Sequence, residues 1–200
     1  MDITASAPAA SASIASAPTT AVATPSARPL KVAAILGSDR EGRFGPVIAD
    51  WFLDRASGHP DIDVELIDVA RPGSASARLT RADAFVVLTP EYNHSFPAPL
   101  KRLIDAHFTE WQAKPVAFVS YGGVSGGLRA VEQLRLVFAE LHAVSMRDTV
   151  SFHHAGALFD DRGRPKDPAP SEAAARTMLD RLVWWGRTLR EARERHPYGG

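Results

Sequence analysis

The 200-residue chain contains no cysteine. That excludes disulfides, a thiolate nucleophile and thiolate metal ligands, and by itself leaves the redox compartment open. The chain also lacks an excess of either charge, with 23 Lys+Arg against 23 Asp+Glu and a formal net charge of zero. No basic surplus draws it to a phosphate backbone, so nucleic acid is not an expected partner. No run of about 18 apolar residues occurs, so no membrane partner is expected. The first basic residue is Arg28, and no continuous apolar segment follows the initiator Met. A secretory signal is therefore not expected, and the cytoplasm is the expected location, the alternative being a transit peptide or tether, which share the Ser/Ala bias of the first residues.

What is present suits a globular protein: 45% hydrophobic and 23% charged residues, in a length that fits one domain better than two. Residues 1–29 are mostly Ala, Ser, Pro and Thr. Such a segment buries too little apolar surface to offset its ordering entropy, so a disordered tail is expected there and a folded domain over 30–196.

From Leu30 strands and helices alternate. Lys31 to Leu36 is a short apolar run ending at Gly37, as a buried strand would be. Pro46 suits the first turn of a helix carrying Ile48, Trp51 and Phe52, with Gly58 as its stop. Further strands are expected at Asp63–Val69, Ala84–Thr89, Pro115–Tyr121 and Val144–Phe152. Further helices are expected from Pro97 to about His107, with Phe108 on its apolar face, from Leu128 to Leu141, and from Ser171 to about Glu194, with Trp185 inward. Strand–helix alternation predicts an α/β fold with a parallel sheet and helices on both faces. Ligands in such sheets bind at the carboxyl ends of the strands.

Three loops at expected strand ends carry unusual chemistry. GSDREGRFGP (37–46) offers the Ser38 hydroxyl, the Arg40 and Arg43 guanidinium groups and a helix N-terminus near Gly45. Together these suit a phosphate, against the plainer reading of a solvated charged turn. The loop is neither a Walker motif nor GxGxxG. PEYNHSFP (90–97) places backbone groups, Tyr92 and His94 between two prolines, which suits a flat heteroaromatic; the plainer reading is aromatics covering the core, with Glu91 a solvated acid. Ser95 is a possible helix cap there. SYGGVSGG (120–127) lets a ligand approach the backbone closely. Its Gly123–Gly127 also fits G-x-S-x-G, with Ser125, Asp148 and His153 or His154 in a hydrolase order. Against that elbow, Tyr121 to Val124 separate the serine from the strand end. As neighbours on a strand, His153 and His154 would face opposite ways.

Three segments together resemble the NADPH-dependent FMN reductases of flavodoxin-like fold, the group that includes soluble NAD(P)H:quinone reductases. They are Gly37-Ser38-x-Arg40, TPEYNHSFPAPLKRLID (89–105) and KPVAFVSYGGVSGGLRA (114–130), with Glu110-Trp111 before the fourth strand. The likeness covers about residues 30–160. It implies a five-stranded flavodoxin-like sheet and FMN as cofactor, with NADPH or NADH as co-substrate. Ser38 and Arg40 would hold the phosphate, helped by Arg43 and the amides near Gly45. Pro90, Glu91, Tyr92 and Asn93 would line the isoalloxazine, and Tyr121, Gly122 and Gly123 its other edge. His94 and Tyr121 would touch the second substrate. The resemblance also implies a homodimer or a dimer of dimers.

Two departures stand out. Many members have Ser-x-Asn where this chain has Arg43-Phe44-Gly45, and the link from Val69 to Ala84 leaves little room for a full helix. The expected activity is hydride transfer from NAD(P)H through FMN to a quinone, flavin or similar small acceptor, with flavin N5, not a catalytic side chain, carrying the hydride. The alternatives are a flavodoxin-like electron carrier without NAD(P)H turnover, or a serine hydrolase using Ser125.

Overall fold

In the computed structural model, which describes residues 28–199, the apolar run after Arg28 forms strand β1 (Leu30–Leu36). The tail expected over 1–29 lies outside the described residues up to position 27. Strands β2 (Ile62–Asp68), β3 (Ala84–Pro90), β4 (Pro115–Tyr121) and β5 (Val144–Phe152) complete one sheet, ordered β2-β1-β3-β4-β5. Every neighbouring pair is parallel. This is the doubly wound, flavodoxin-like order, as expected.

The central strands β1, β3 and β4 are apolar on both sides because both faces are covered there. Alternation along β1 sends Leu30, Val32, Ala34 and Leu36 into one core with helices α1 (Gly45–Ser57), the one-turn α5 (Ala155–Leu158) and α6 (Ala169–Arg195). Ala33 and Ile35 enter the other core, with α2 (Ala75–Arg81), α3 (Ala98–Asp105) and α4 (Leu128–Glu140). The same alternation turns Phe118 towards α4 and Val119 and Tyr121 towards α1. A fully buried large apolar side chain contributes about 1.5–3 kcal/mol. The two cores therefore fix which face each strand residue serves.

Several details depart from the sequence expectations. The short β2–β3 link does hold a helix, the two-turn α2, capped from outside: the Lys114 ammonium donates to the carbonyls of Leu79 at 3.0 Å and Thr80 at 3.1 Å. Burial pushes the Lys114 pKa down to about 8. α3 stops at Asp105, so Phe108 lies beyond it and is exposed. Trp185 also faces outward, because Leu182, Val183, Gly186 and Arg190 take the inner face of α6. Arg190 is drawn inward by Asp83, whose carboxylate accepts its Nη1–H at 3.1 Å and the Lys31 N–H at 3.0 Å. In β5 the register jumps from Val116↔Ser145 to Phe118↔Thr149. Arg135 of α4 donates to the carbonyls of Met146 and Arg147 within that irregular stretch.

β2 lies outside β1, whereas β3 lies on its other side. The chain therefore leaves β1 and β3 in opposite directions, which opens a crevice at their carboxyl ends.

Candidate functional site

All three chemically unusual loops meet at that crevice, and hydrogen bonds join them. The first loop leaves β1 with Gly37, whose N–H donates to Leu88 O at 2.9 Å. Ser38 is almost fully buried, and its Oγ lies 2.7 Å from the Tyr92 hydroxyl of the second loop. The exposed Arg40 lays its guanidinium 3.6 Å from the centre of the Tyr92 ring.

Arg43 is occupied differently. Its Nη1 donates to Asp68 Oδ1 at 2.8 Å and its Nη2 meets Oδ2, a bidentate pair at the end of β2. Asp68 also accepts the Ala70 N–H at 3.0 Å. Burial disfavours the Asp68 charge more than any single neighbour favours it, but the Arg43 hydrogen bond, the Ala70 N–H and the positive charges of Arg43 and Arg71 together outweigh it and hold the carboxyl below its ordinary range. In turn that bond raises the Arg43 pKa.

Helix α1 begins with Phe44 at its N-cap, no side-chain cap and no acid in its first turn. Its leading N–H groups and positive dipole end thus remain available to an anion. Gly45 is a point of close approach. A Cβ there would stand 2.8 Å from Leu36 Cδ1 and 2.9 Å from the Tyr121 hydroxyl. Tyr121 is only 5% exposed and its hydroxyl has no hydrogen-bond partner. Burial pushes its pKa well above the ordinary tyrosine value. Its side chain lies under the start of α1, while its carbonyl accepts the Glu91 N–H at 3.3 Å.

The second loop makes a two-residue reversal. Tyr92 and Ser95 exchange N–H···O bonds of 2.8 and 3.0 Å, with Asn93 at φ 50° and His94 at φ 68° between them. Asn is among the residues that adopt this left-handed backbone most readily. Asn93 and His94 are exposed at the tip. Ser95 does not cap α3, whose N-cap is Pro97; its Oγ donates to Gln133 Oε1 at 2.6 Å. Gln133 also donates to His94 O at 2.8 Å.

Glu91 is not a solvated acid. Its carboxylate, 8% exposed, accepts from Ser125 Oγ at 2.6 Å, from the Arg129 N–H at 3.1 Å and from Arg129 Nη1 at 2.8 Å. Burial opposes its charge, but these donors outweigh burial and hold its pKa below the ordinary range.

In the third loop the Gly126 carbonyl accepts from both Ser120 and Ser151 at 2.8 Å. Gly126 and Gly127 have φ of 60° and 84°. A Cβ on Gly126 would lie 2.5 Å from Ser151 Oγ, and one on Gly127 2.8 Å from Ser120 Cβ. Only glycine fits both. Gly123 is exposed, with no atom within 4 Å of an added Cβ, so its backbone is open to a ligand.

No histidine among the described residues hydrogen-bonds Ser125. His153 Nδ1 instead lies 2.8 Å from the Val124 carbonyl, and Asp148 sits within the irregular stretch of β5 beside Arg147. β5 ends at Phe152, so both His153 and His154 lie on the following turn and both are exposed. They do not alternate across a strand.

Asp68, Arg129 and Gln133 join this rim although none of them is among the residues singled out from the sequence. Asp68 could have been noticed as an acid at the carboxyl end of a strand. Arg129 and Gln133 could not, because their role depends on how α4 meets the second loop.

The family model described as NADPH-dependent FMN reductase matches residues 30–157. A probable NADPH:quinone oxidoreductase from Oryza sativa is 31% identical over 178 residues, covering 77% of this chain and 88% of its own. An NADPH:quinone oxidoreductase from Arabidopsis thaliana is 29% identical over 174 residues, covering 75% and 89%. An NAD(P)H-dependent FMN reductase from Schizosaccharomyces pombe is 32% identical over 120 residues, a match spanning 48% of this chain and 60% of that protein. Among solved structures, the flavoenzyme NAD(P)H:(acceptor) oxidoreductase FerB from Paracoccus denitrificans superposes with a TM-score of 0.64 at 20% identity, covering 80% of this chain and 98% of that one. At that identity the likeness shows a shared fold.

Proposed function

This chain belongs to the NADPH-dependent FMN reductase family, and on that premise we propose that it is an FMN-dependent NAD(P)H oxidoreductase that reduces a quinone, a flavin or a similar small acceptor. One observation carries the proposal: the three loops are hydrogen-bonded to one another at a single rim, beside a helix N-terminus that no side chain caps.

The residues fit the cofactor. The uncapped start of α1, Ser38 and Arg40 suit a phosphate dianion. Gly122 and the open backbone at Gly123 leave room for the edge of a ring, opposite Pro90 to Asn93. Bound FMN would supply the redox chemistry, taking electrons from NAD(P)H and yielding them to the acceptor.

The chain's own groups bind and orient. Ser38, Arg40 and the amides near Gly45 take the phosphate. Arg43 keeps Asp68 and stiffens the loop from behind. Pro90, Glu91, Tyr92 and Asn93 line the ring chiefly through their backbone, with the Asn93 amide added. His94, exposed at the tip, faces the entering acceptor. Tyr121 serves as the floor beneath the first turn of α1 and through its backbone. Exposed apolar residues, Val124 at 78% on the third loop and Leu136 at 75% further along α4, support pairing of subunits as a homodimer or a dimer of dimers. A cytoplasmic location fits a consumer of reduced pyridine nucleotide.

Purified protein soaked in FMN and desalted should be yellow. NADPH or NADH should bleach it without oxygen, and a quinone should restore the colour. A protein that retains FMN but is not bleached by either nucleotide would be an electron carrier instead.

A further inference from the structure

We infer that the Glu91 carboxylate is a positioning group that latches the third loop and the start of α4 to the second loop, and so sets the flavin-facing backbone at Gly122 and Gly123. The latch rests on the FMN reading for what it positions, and on the geometry alone for what it holds.

The N-cap of α4 is Gly127, in a left-handed conformation, with no side-chain cap from its own segment. Glu91 supplies one from far away in sequence by accepting the Arg129 N–H, one of the first free donors of that helix. A negative charge there also meets the positive end of the helix dipole. The same Oε2 accepts the Ser125 hydroxyl, and Ser125 Oγ in turn accepts the Gly127 N–H at 3.4 Å. Oε1 takes the Arg129 guanidinium. All three groups that meet the carboxylate are donors. An ionised carboxylate only accepts, so it satisfies every one, whereas a glutamine would turn an NH2 group against a donor.

The backbone at this position is fixed as well. Glu91 N–H extends the β3–β4 ladder by one bond to Tyr121 O, just before Gly122. A Cβ on Gly122 would lie 3.9 Å from Glu91 Cβ. The latch therefore stands directly behind the glycine backbone that faces the ring. Ser125, which the G-x-S-x-G pattern offers as a nucleophile, is a strut in this arrangement.

The test compares full-length wild type with Glu91→Gln, Ser125→Ala and the double variant. Affinities for FMN and for riboflavin, which lacks the phosphate, are measured by flavin fluorescence. Amide hydrogen exchange is followed in the flavin-free proteins. Glu91→Gln should weaken FMN and riboflavin by the same factor, about tenfold, because a hydrogen bond to a charged group is lost at the ring end and not at the phosphate. Exchange at the amides of Gly126–Arg129 should quicken by a similar factor while α6 stays unchanged. Adding Ser125→Ala to Glu91→Gln should cost little more, since both cut one network. Wild-type affinity and exchange in Glu91→Gln would overturn the latch. So would faster exchange throughout the fold, α6 included, which a general loss of stability would produce. Failure of the wild type to bind either flavin would overturn the FMN reading, and the exchange comparison would still decide whether Glu91 holds the loop.

Discussion

The Ser38 and Tyr92 hydroxyls stand 2.7 Å apart and bridge the loops that leave β1 and β3 in opposite directions. A neutral hydrogen bond of this kind contributes about 0.5–1.5 kcal/mol. Tyr92→Phe keeps the ring on which Arg40 rests and removes only the bridge. Its melting temperature without flavin should fall by about 2–4 °C. No shift in a thermal scan would mean that the bridge contributes nothing to holding the crevice.

The two arginines of the first loop should separate cleanly. Arg40 is exposed and has no carboxylate partner among the described residues, whereas Arg43 is bound bidentately to Asp68. Arg40→Ala should weaken FMN about ten- to a hundredfold and leave riboflavin nearly unaffected. Arg43→Ala should change FMN affinity less but lower the urea midpoint, because it strands a partly buried carboxylate. Equilibrium dialysis and urea titration give the two readings, and a reversed ranking would assign the phosphate to Arg43.

Gly45 and Tyr121 should behave as a coupled pair. Gly45→Ala drives a methyl against Leu36 and the Tyr121 hydroxyl and should cost about 1–3 kcal/mol. Tyr121→Phe removes a buried hydroxyl without a partner, so on its own it should be neutral or slightly stabilising. Combined with Gly45→Ala it should recover part of the loss. Strict additivity in urea unfolding would show that the hydroxyl does not fill that space.

Lys114 gives the fold a pH dependence of unusual sign. Its pKa is lowered from 10.5 to about 8 by burial. Between those values the unfolded lysine holds a proton that the folded one has released, so stability rises with pH across that window. The neutral amine still has two N–H groups for the Leu79 and Thr80 carbonyls. At about 1.4 kcal/mol per pH unit the gain is bounded at roughly 3 kcal/mol. Above pH 10 the raised Tyr121 pKa works the other way, since the unfolded tyrosine ionises first. Urea midpoints at pH 7.5 and 9.5 should therefore rise for wild type and stay flat for Lys114→Met. A flat wild-type profile would show that Lys114 remains charged.

Local signals carried most of the architecture. β4 begins and ends where Pro115 and Gly122 place it, and β5 spans the expected Val144–Phe152. Gly58 stops α1 and Pro46 opens it. The misplaced residues are those whose position depends on a distant partner. Arg190 turns inward because Asp83 waits there, and Trp185 turns outward as a result. At the rim, residue types in the three loops told which chemistry to expect. They could not reveal that Glu91 holds Ser125 and Arg129, or that Arg43 is claimed by Asp68. Those pairings exist only once the sheet order is set.

Arg129 and Gln133 lie one turn apart on α4, and each grips the second loop: Arg129 at Glu91, Gln133 at His94 and Ser95. α4 also leads out of the glycine loop, so a single rigid rod steers both walls of the crevice. A small tilt of that rod, produced by resizing Leu134 or Phe138 deep beneath it, would widen or narrow the mouth with no change to any residue that meets a substrate. The width of the crevice is thus open to adjustment from the buried face of the helix.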